Sequence, residues 1–418
     1  MFSDAERRKL TKVRTVTVFV WLGGSSGGEA LAAAGREAAR VGEEVEGVLT
    51  DAGYEVQTVR VVSNPFPEWA DALDGDRLDA AVAAFVGGVP RKTARGAAVM
   101  VSIGRAGTPD ATAHLPRVLT APGRSHVSAS ADIGADARYG CPDRAMARAA
   151  ATVMLALAAG SDGGGANFQF CASSNLHPAT PFLPAACWLG GRPDTAAAGG
   201  SGVAGVALGL QHVELCTTAV AACTAATAGG VCEPTAVVDC LARELSVVVA
   251  GAAHRARVPF LGIDTSLAPA PLPHASVTTL YAALGVSRWG GAGTLESSAL
   301  LTRAFKSVRG APLVGYSGLM LPPMEDVGLA AGAAAPNPYR IHDLLMASAV
   351  CGIGLDTVPI PGDVTHDALT ALLCDVATLS HRLAKPLSSR LFPVPGAAAG
   401  ELTTFDNPYL CNTRVFHV

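Results

Sequence analysis

The sequence predicts an α/β fold, barrel-like and organised as one domain over residues 1–418. Three observations predict it. β-Branched runs alternate with segments of helical periodicity, the pattern of a sheet covered by helices. Half the residues are hydrophobic and 16% are charged, which supplies a large core and excludes a disordered chain. No repeat and no Pro/Ser-rich hinge divides the chain, and large α/β barrels fold as single units despite their length.

The elements follow in order. Residues 13–20 (VRTVTVFV) alternate and are β-branched, so they read as a strand. A Gly-rich loop at 23–28 follows. Leu31, Ala34, Ala38, Val41, Val45, Val48 and Leu49 then recur at helical spacing. Gly53 ends that helix, and 56–62 is the next strand of a β-α-β unit. A helix over 79–86, a strand over 97–103, a loop-rich stretch to 142 and a helix over 145–158 come next. Further strands are expected at 167–171, 203–210, 258–263, 313–320 and 350–359. Helices are expected at 214–227, 235–252, 276–284, 295–308, 341–348 and 367–383. The Pro/Gly-rich stretch 386–396 reads as chain wrapping the surface, because its prolines exclude a long helix.

Charge and cysteines narrow the class. The net charge is −4 and no basic run exceeds Arg7, Arg8 and Lys9, so nucleic acid is not an expected partner. Residues 1–12 are polar and lack the apolar stretch of a secretory signal. The longest apolar run, 149–160, is short of the ~20 residues that span a bilayer. The ten Cys include no C-x-x-C and no Cys/His set at zinc spacing. Cys216, Cys223, Cys232 and Cys240 lie in an Ala-rich stretch and are expected as small buried thiols. A cytoplasmic, reduced homo-oligomer with a small-molecule ligand and no membrane partner is the expectation.

Polar residues end several apolar strands. Asn175 and His177 follow one, Asp264 another, Glu325 and Asp326 a third, and Asp356 and Asp363 a fourth. In parallel α/β sheets the ligand lies at the carboxyl ends of strands, so these groups are expected to share one mouth. Any one of them is equally a helix cap or turn residue. Together the carboxylates suit acid–base work or a divalent cation, which takes oxygen ligands. Cys351 sits among glycines five residues before Asp356 and is a candidate nucleophile, or else a buried thiol at a crowded turn.

Two short motifs are weaker. Gly24, Ser26 and Gly28 match the G-x-S-x-G of a nucleophile elbow between strand and helix, but a Gly-rich loop matches short patterns by chance. His212 and Glu214 match the H-x-E of zinc deaminases, yet no P-C-x-x-C follows.

Longer segments carry a resemblance. They are RTVT at 14–17, VQTVR at 56–60 with NPF at 64–66, Asn175 with TPFLPA at 180–185, and LGID at 261–264. GLMLP at 318–322 with Glu325 and Asp326, VCGIGLDTVP at 350–359 with PGD at 361–363, and KPLSSRLFPVPG at 385–396 complete the set. In this order they resemble the uncharacterised pyruvate formate-lyase-like family, also catalogued as a domain of unknown function. The resemblance implies a fold related to the large α/β barrel of glycyl-radical enzymes. It implies no reaction, since a shared fold is not a shared function. The Arg-Val-x-Gly-Tyr-like loop of glycyl-radical enzymes is absent from the C-terminal sequence, so no glycyl radical is expected.

The functional expectation is an enzyme, a lyase or hydrolase, acting on a small anionic metabolite at the barrel mouth. Cys351, Asp356 and Asp264 are its candidate catalytic groups. Asn175, His177, Arg390 and Glu325 are candidate substrate ligands, and Asp326 and Asp363 candidate metal ligands. The alternative is a non-catalytic small-molecule-binding or regulatory protein.

Overall fold

The computed structural model describes every residue except 1, 25–26, 72–73, 195, 197–199, 228–232 and 254–258. The Gly-rich loop with its G-x-S-x-G match therefore lies partly outside the described residues. Among the described residues ten strands form one sheet: β1 (Lys12–Trp21), β2 (Glu55–Val56), β3 (Thr58–Ser63), β4 (Ala98–Ala106), β5 (Val127–Asp132), β6 (Phe170–Ser174), β7 (Gly202–Gln211), β8 (Phe260–Asp264), β9 (Gly354–Pro361) and β10 (Leu387–Val394). Their order is β8-β7-β1-β3-β4-β5-β6-β10-β9, with β2 beside β1.

The fold is α/β and the sheet mostly parallel. β1, β3, β4, β5 and β6 run parallel as one half. β7 with β8, and β10 with β9, run parallel as the other. The halves meet antiparallel at β1–β7 and β6–β10. Among the described residues the hydrogen-bonded path does not close. Chain 312–319 lies beyond β8, where Ile263 N donates to Pro312 O at 2.9 Å and Leu267 N to Gly318 O at 2.9 Å. Its far side meets the start of β9. A Cβ on Gly318 would lie 2.9 Å from Gly352 Cα, a spacing that only two glycines permit.

Alternation along the strands sorts the two faces. Val16, Val18, Val59, Val61, Val99 and Val101 belong to the main core, packed against helices such as Gly28–Asp51, Gly75–Gly87 and Arg144–Ala159. The opposite face is smaller and more polar. A loop after β6 runs across it: Thr17 Oγ1 donates to Pro181 O at 3.0 Å, Ser102 Oγ to Ala186 O at 2.7 Å, and Trp188 N to Ser63 O at 3.0 Å.

Three expectations are corrected. Chain 313–320 makes isolated bridges instead of a strand, because Gly315 and Ser317 adopt positive φ (65° and 44°). The stretch 386–396 is no surface wrap: β10 is buried along its whole length between β6 and β9. Residues 127–132 form β5, inside the stretch expected as loop. Among the described residues no helix is long and apolar enough to cross a membrane.

Candidate functional site: a buried arginine cluster

A cavity of about 1130 Å³ lies on the inner face of the sheet. Its walls include Arg60 of β3, Met100 of β4, Ser128 of β5 and Cys171 of β6, all near the amino ends of their strands. The other half contributes Tyr316, Glu325, Asp356 and Arg390.

Five charged side chains converge there. Arg390 is 7% exposed; its Nε donates to Asp356 Oδ1 at 2.7 Å and its Nη2 to Glu325 Oε1. Its guanidinium carbon lies 4.8 Å from the Phe168 ring centroid. Arg14 Nη2 stands 3.9 Å from Glu325 Oε2, and Arg14 Nη1 donates to Gln57 Oε1 at 3.0 Å and Gln211 Oε1 at 3.4 Å. Arg60 Nη1 donates to Pro181 O at 3.3 Å, with the guanidinium 5.6 Å from the Phe182 ring. Arg60 Nε is buried and has no hydrogen-bond partner among the described residues.

Three guanidinium groups thus face two carboxylates. Burial and the neighbouring Arg14 charge push the Arg60 pKa down to about 9, so it keeps its proton at neutral pH. Burial pushes Glu325 upward against the pull of Arg390, with Asp356 adding to the rise. Burial works against the Arg390 charge, but Asp356 and Glu325 outweigh it and hold the pKa above its ordinary value. Burial likewise raises the Tyr316 phenol, which donates to Ser388 Oγ at 3.1 Å, and the Cys171 thiol. This arrangement can hold an anion between arginines and offers Glu325 and Tyr316 as proton carriers beside it.

Of the site residues expected from sequence, Glu325, Asp356 and Arg390 come together. The other six do not line this cavity. Asp264 is fully buried and accepts from Ser266 N (2.9 Å), Ser266 Oγ (2.6 Å), Tyr316 N (2.9 Å) and Ser317 N (3.0 Å). It pins the turn that carries Tyr316. Asp326 caps the helix Val327–Ala334 through Gly328 N and Leu329 N, and also accepts from Ser276 Oγ and Val277 N. Cys351 is 2% exposed in the main core at the end of the helix Ile341–Val350, and burial raises its thiol pKa.

Asn175 and His177 are exposed beyond the carboxyl end of β6, whereas Cys171 in the cavity is near its start. Asn175 Nδ2 binds Ser380 Oγ at 3.0 Å, and His177 Nδ1 accepts from Ala179 N at 3.2 Å. Asp363 is exposed in the turn after β9. Among the described residues, no three His, Cys, Asp or Glu side chains are grouped to hold a metal ion.

Arg14, Arg60, Tyr316 and Cys171 were not singled out as site residues from sequence. A signal existed for Arg60, which interrupts a β-branched run out of phase with the core-facing Val59 and Val61; Arg14 has the parity of Val16 and Val18 and reaches the cavity at an irregularity of β1 between Val13 and Thr15.

His212 has a structural setting. It is fully buried, and Nε2 faces Thr265 O at 3.0 Å, which only accepts, so Nε2 carries the hydrogen. Nδ1 then accepts from the Cys216 thiol at 3.3 Å. Of its Ala-rich neighbours, Cys240 is half-buried and Cys223 is disulfide-bonded; Cys232 lies outside the described residues. Burial pushes the His212 pKa from 6.5 down to about 4. The unfolded chain therefore binds a proton that the folded one refuses, and stability falls as pH drops from 6.5 to about 4. The expected loss from this residue is about 3 kcal/mol, read as the difference between wild type and His212→Asn in urea titrations across that window.

Comparison with known proteins places the chain. Residues 6–406 match the family model described as Uncharacterised ACR (DUF711). A UPF0210 protein of Pyrobaculum arsenaticum is 34% identical over 240 residues, 56% of this chain and 51% of that protein. One from Desulforudis audaxviator is 38% identical over 156 residues, 37% of this chain and 34% of its own. A third, from Lacticaseibacillus paracasei, is 36% identical over 157 residues, 37% and 35% respectively. The matched stretches span about half or less of these relatives. With nearly its whole length matched by the family model, the chain belongs to the uncharacterised DUF711 family.

Proposed function

We propose that this protein is an enzyme that takes a small anionic metabolite into the interior of a single-domain α/β barrel related to that of glycyl-radical enzymes. Chain 312–319, bridged to β8 and touching Gly352, supports the barrel reading by filling the gap between the two ends of the sheet. One observation carries the ligand class. Arg390 and Arg14 take up the two carboxylates, while Arg60 pairs with neither and its buried Nε is left without an acceptor among the described residues. A buried charge-bearing donor is costly to leave unpaired, so the site is built to receive negative charge. Glu325 and Tyr316 are the acid–base groups of this reading; Cys351, sealed in the core, has no part in it.

The test is calorimetric titration with small mono- and dicarboxylates and inorganic phosphate, on wild type and Arg60→Met. Binding to wild type is expected, weakened about 10- to 100-fold by Arg60→Met, the worth of a hydrogen bond to a charged group. If no anion binds, or Arg60→Met binds equally well, the reading fails. Turnover of a bound anion that is lost in Glu325→Gln supports catalysis; binding without turnover leaves a binding protein.

A further inference from the structure

His126 immediately precedes β5 and lines the same cavity as Arg60. It is 6% exposed, yet neither ring nitrogen has a hydrogen-bond partner among the described residues. A buried imidazole with two idle nitrogens is an expensive arrangement unless something else satisfies them. Of its neighbours, Met100 is apolar, and Gln169, just before β6, donates its Nε2 to Arg124 O and Val127 O at 2.7 and 2.6 Å.

The sheet register fixes where His126 stands relative to the arginines. Arg60 pairs with Met100 across β3 and β4. Val101 pairs with Val127, and Val101 N donates to His126 O at 2.9 Å, so Met100 is level with His126. Arg60, Met100 and His126 therefore form one inward row across three parallel strands. Two strand spacings separate its ends, ~10 Å between backbone anchors. The row is polar at both ends and apolar in the middle.

We infer that the cavity recognises an elongated, two-ended ligand: an acid whose anionic group sits at Arg60 and whose far end presents a neutral hydroxyl, carbonyl or amide to His126. This rests on the anion-binding reading above and adds to it the length of the ligand and the chemistry of its other end. The ring itself adds no positive charge at that end. Burial, with Arg91 adding to it, pushes the His126 pKa from 6.5 to about 4, so at neutral pH the ring is uncharged. It offers one N–H and one lone pair, which suits a hydroxyl that both donates and accepts. Met100 between the poles suits a short methylene run.

The experiment uses the full chain and straight-chain acids from butanoate to octanoate, each plain and with a terminal hydroxyl, titrated by calorimetry. The hydroxy acid is expected to bind about tenfold more tightly than its plain partner at the length that spans the row, and no more tightly at the shortest. His126→Ala should erase that gain while leaving the plain acids' affinity intact; His126→Gln, which keeps a donor and an acceptor, should retain part of it. No gain at any length, or a gain that survives His126→Ala, overturns the inference while the anion site stands. If plain acids fail to bind, or bind independently of Arg60, the anion-binding reading falls and takes this inference with it. The length series on wild type needs no variant to fold.

Discussion

Replacing Arg390 by Met is expected to cost about 3–5 kcal/mol of folding stability, the range for removing one partner of a buried ion pair. Met keeps much of the side-chain volume, so packing changes little. The charge does not survive. Glu325 and Asp356, whose side chains are 12% and 13% exposed, lose the guanidinium they share. Arg14, 3.9 Å from Glu325, compensates only in part. The pH dependence identifies the cause. Glu325 without Arg390 has a folded-state pKa raised further above its ordinary 4.5, so its penalty is smallest at acid pH and grows as pH rises from 4.5 to the raised value. Urea titrations at pH 5 and pH 8 should therefore show a larger deficit at the higher pH. Adding Glu325→Gln to Arg390→Met should recover part of it. A deficit that does not change with pH would mean that the loss is one of packing.

Asp264→Ala is expected to be as damaging, ~3–5 kcal/mol, through orphaned donors rather than charge. The carboxylate accepts from three backbone N–H groups and the Ser266 hydroxyl in a place without solvent. The local backbone is shaped around it: a Cβ on Gly315 would lie 2.0 Å from Asp264 Oδ2. Ala leaves Tyr316 N and Ser317 N buried and unpaired. Asn is expected to lose less, since its oxygen still accepts although its amide meets donors. Circular dichroism melts of the three proteins rank them. An Asp264→Ala protein as stable as wild type would remove the anchoring role assigned here.

Much of the fold was readable because outward positions carry large apolar side chains. β1 alternates Val against Thr, and its expected span of 13–20 differs by a residue at each end. β5 was not readable: Val127, Ala129 and Ala131 face the core but are mostly small, while Ser128 and Ser130 face inward. β10 hid for a related reason. Ser388 and Arg390 are polar because they line a polar cavity, and Pro393 looks like a strand breaker. The site was half readable. The expectation that ligands gather at carboxyl ends holds one direction for every strand, but this sheet has two antiparallel halves. At the mouth where β7 and β8 end, β1 and β3 to β6 begin. Glu325 follows a segment of the first kind and lines the cavity. Asn175 and His177 follow β6 and stand at the opposite end from the cavity, and His126 lay in a stretch read as loop.

The loop after β6 has a kinetic consequence. Pro181, held by Thr17 and Arg60, and Ala186, held by Ser102, stopper the far end of the interior with Phe19, Val62 and Val314 packed around them. On the proposed reading the cavity would then act as a well: a ligand would leave by the path it entered, and a newcomer would wait until the previous occupant had gone. Any product of a reaction at the arginines would therefore inhibit competitively with its own substrate, and a molecule too wide for the rim would be refused however well its charge matched the floor.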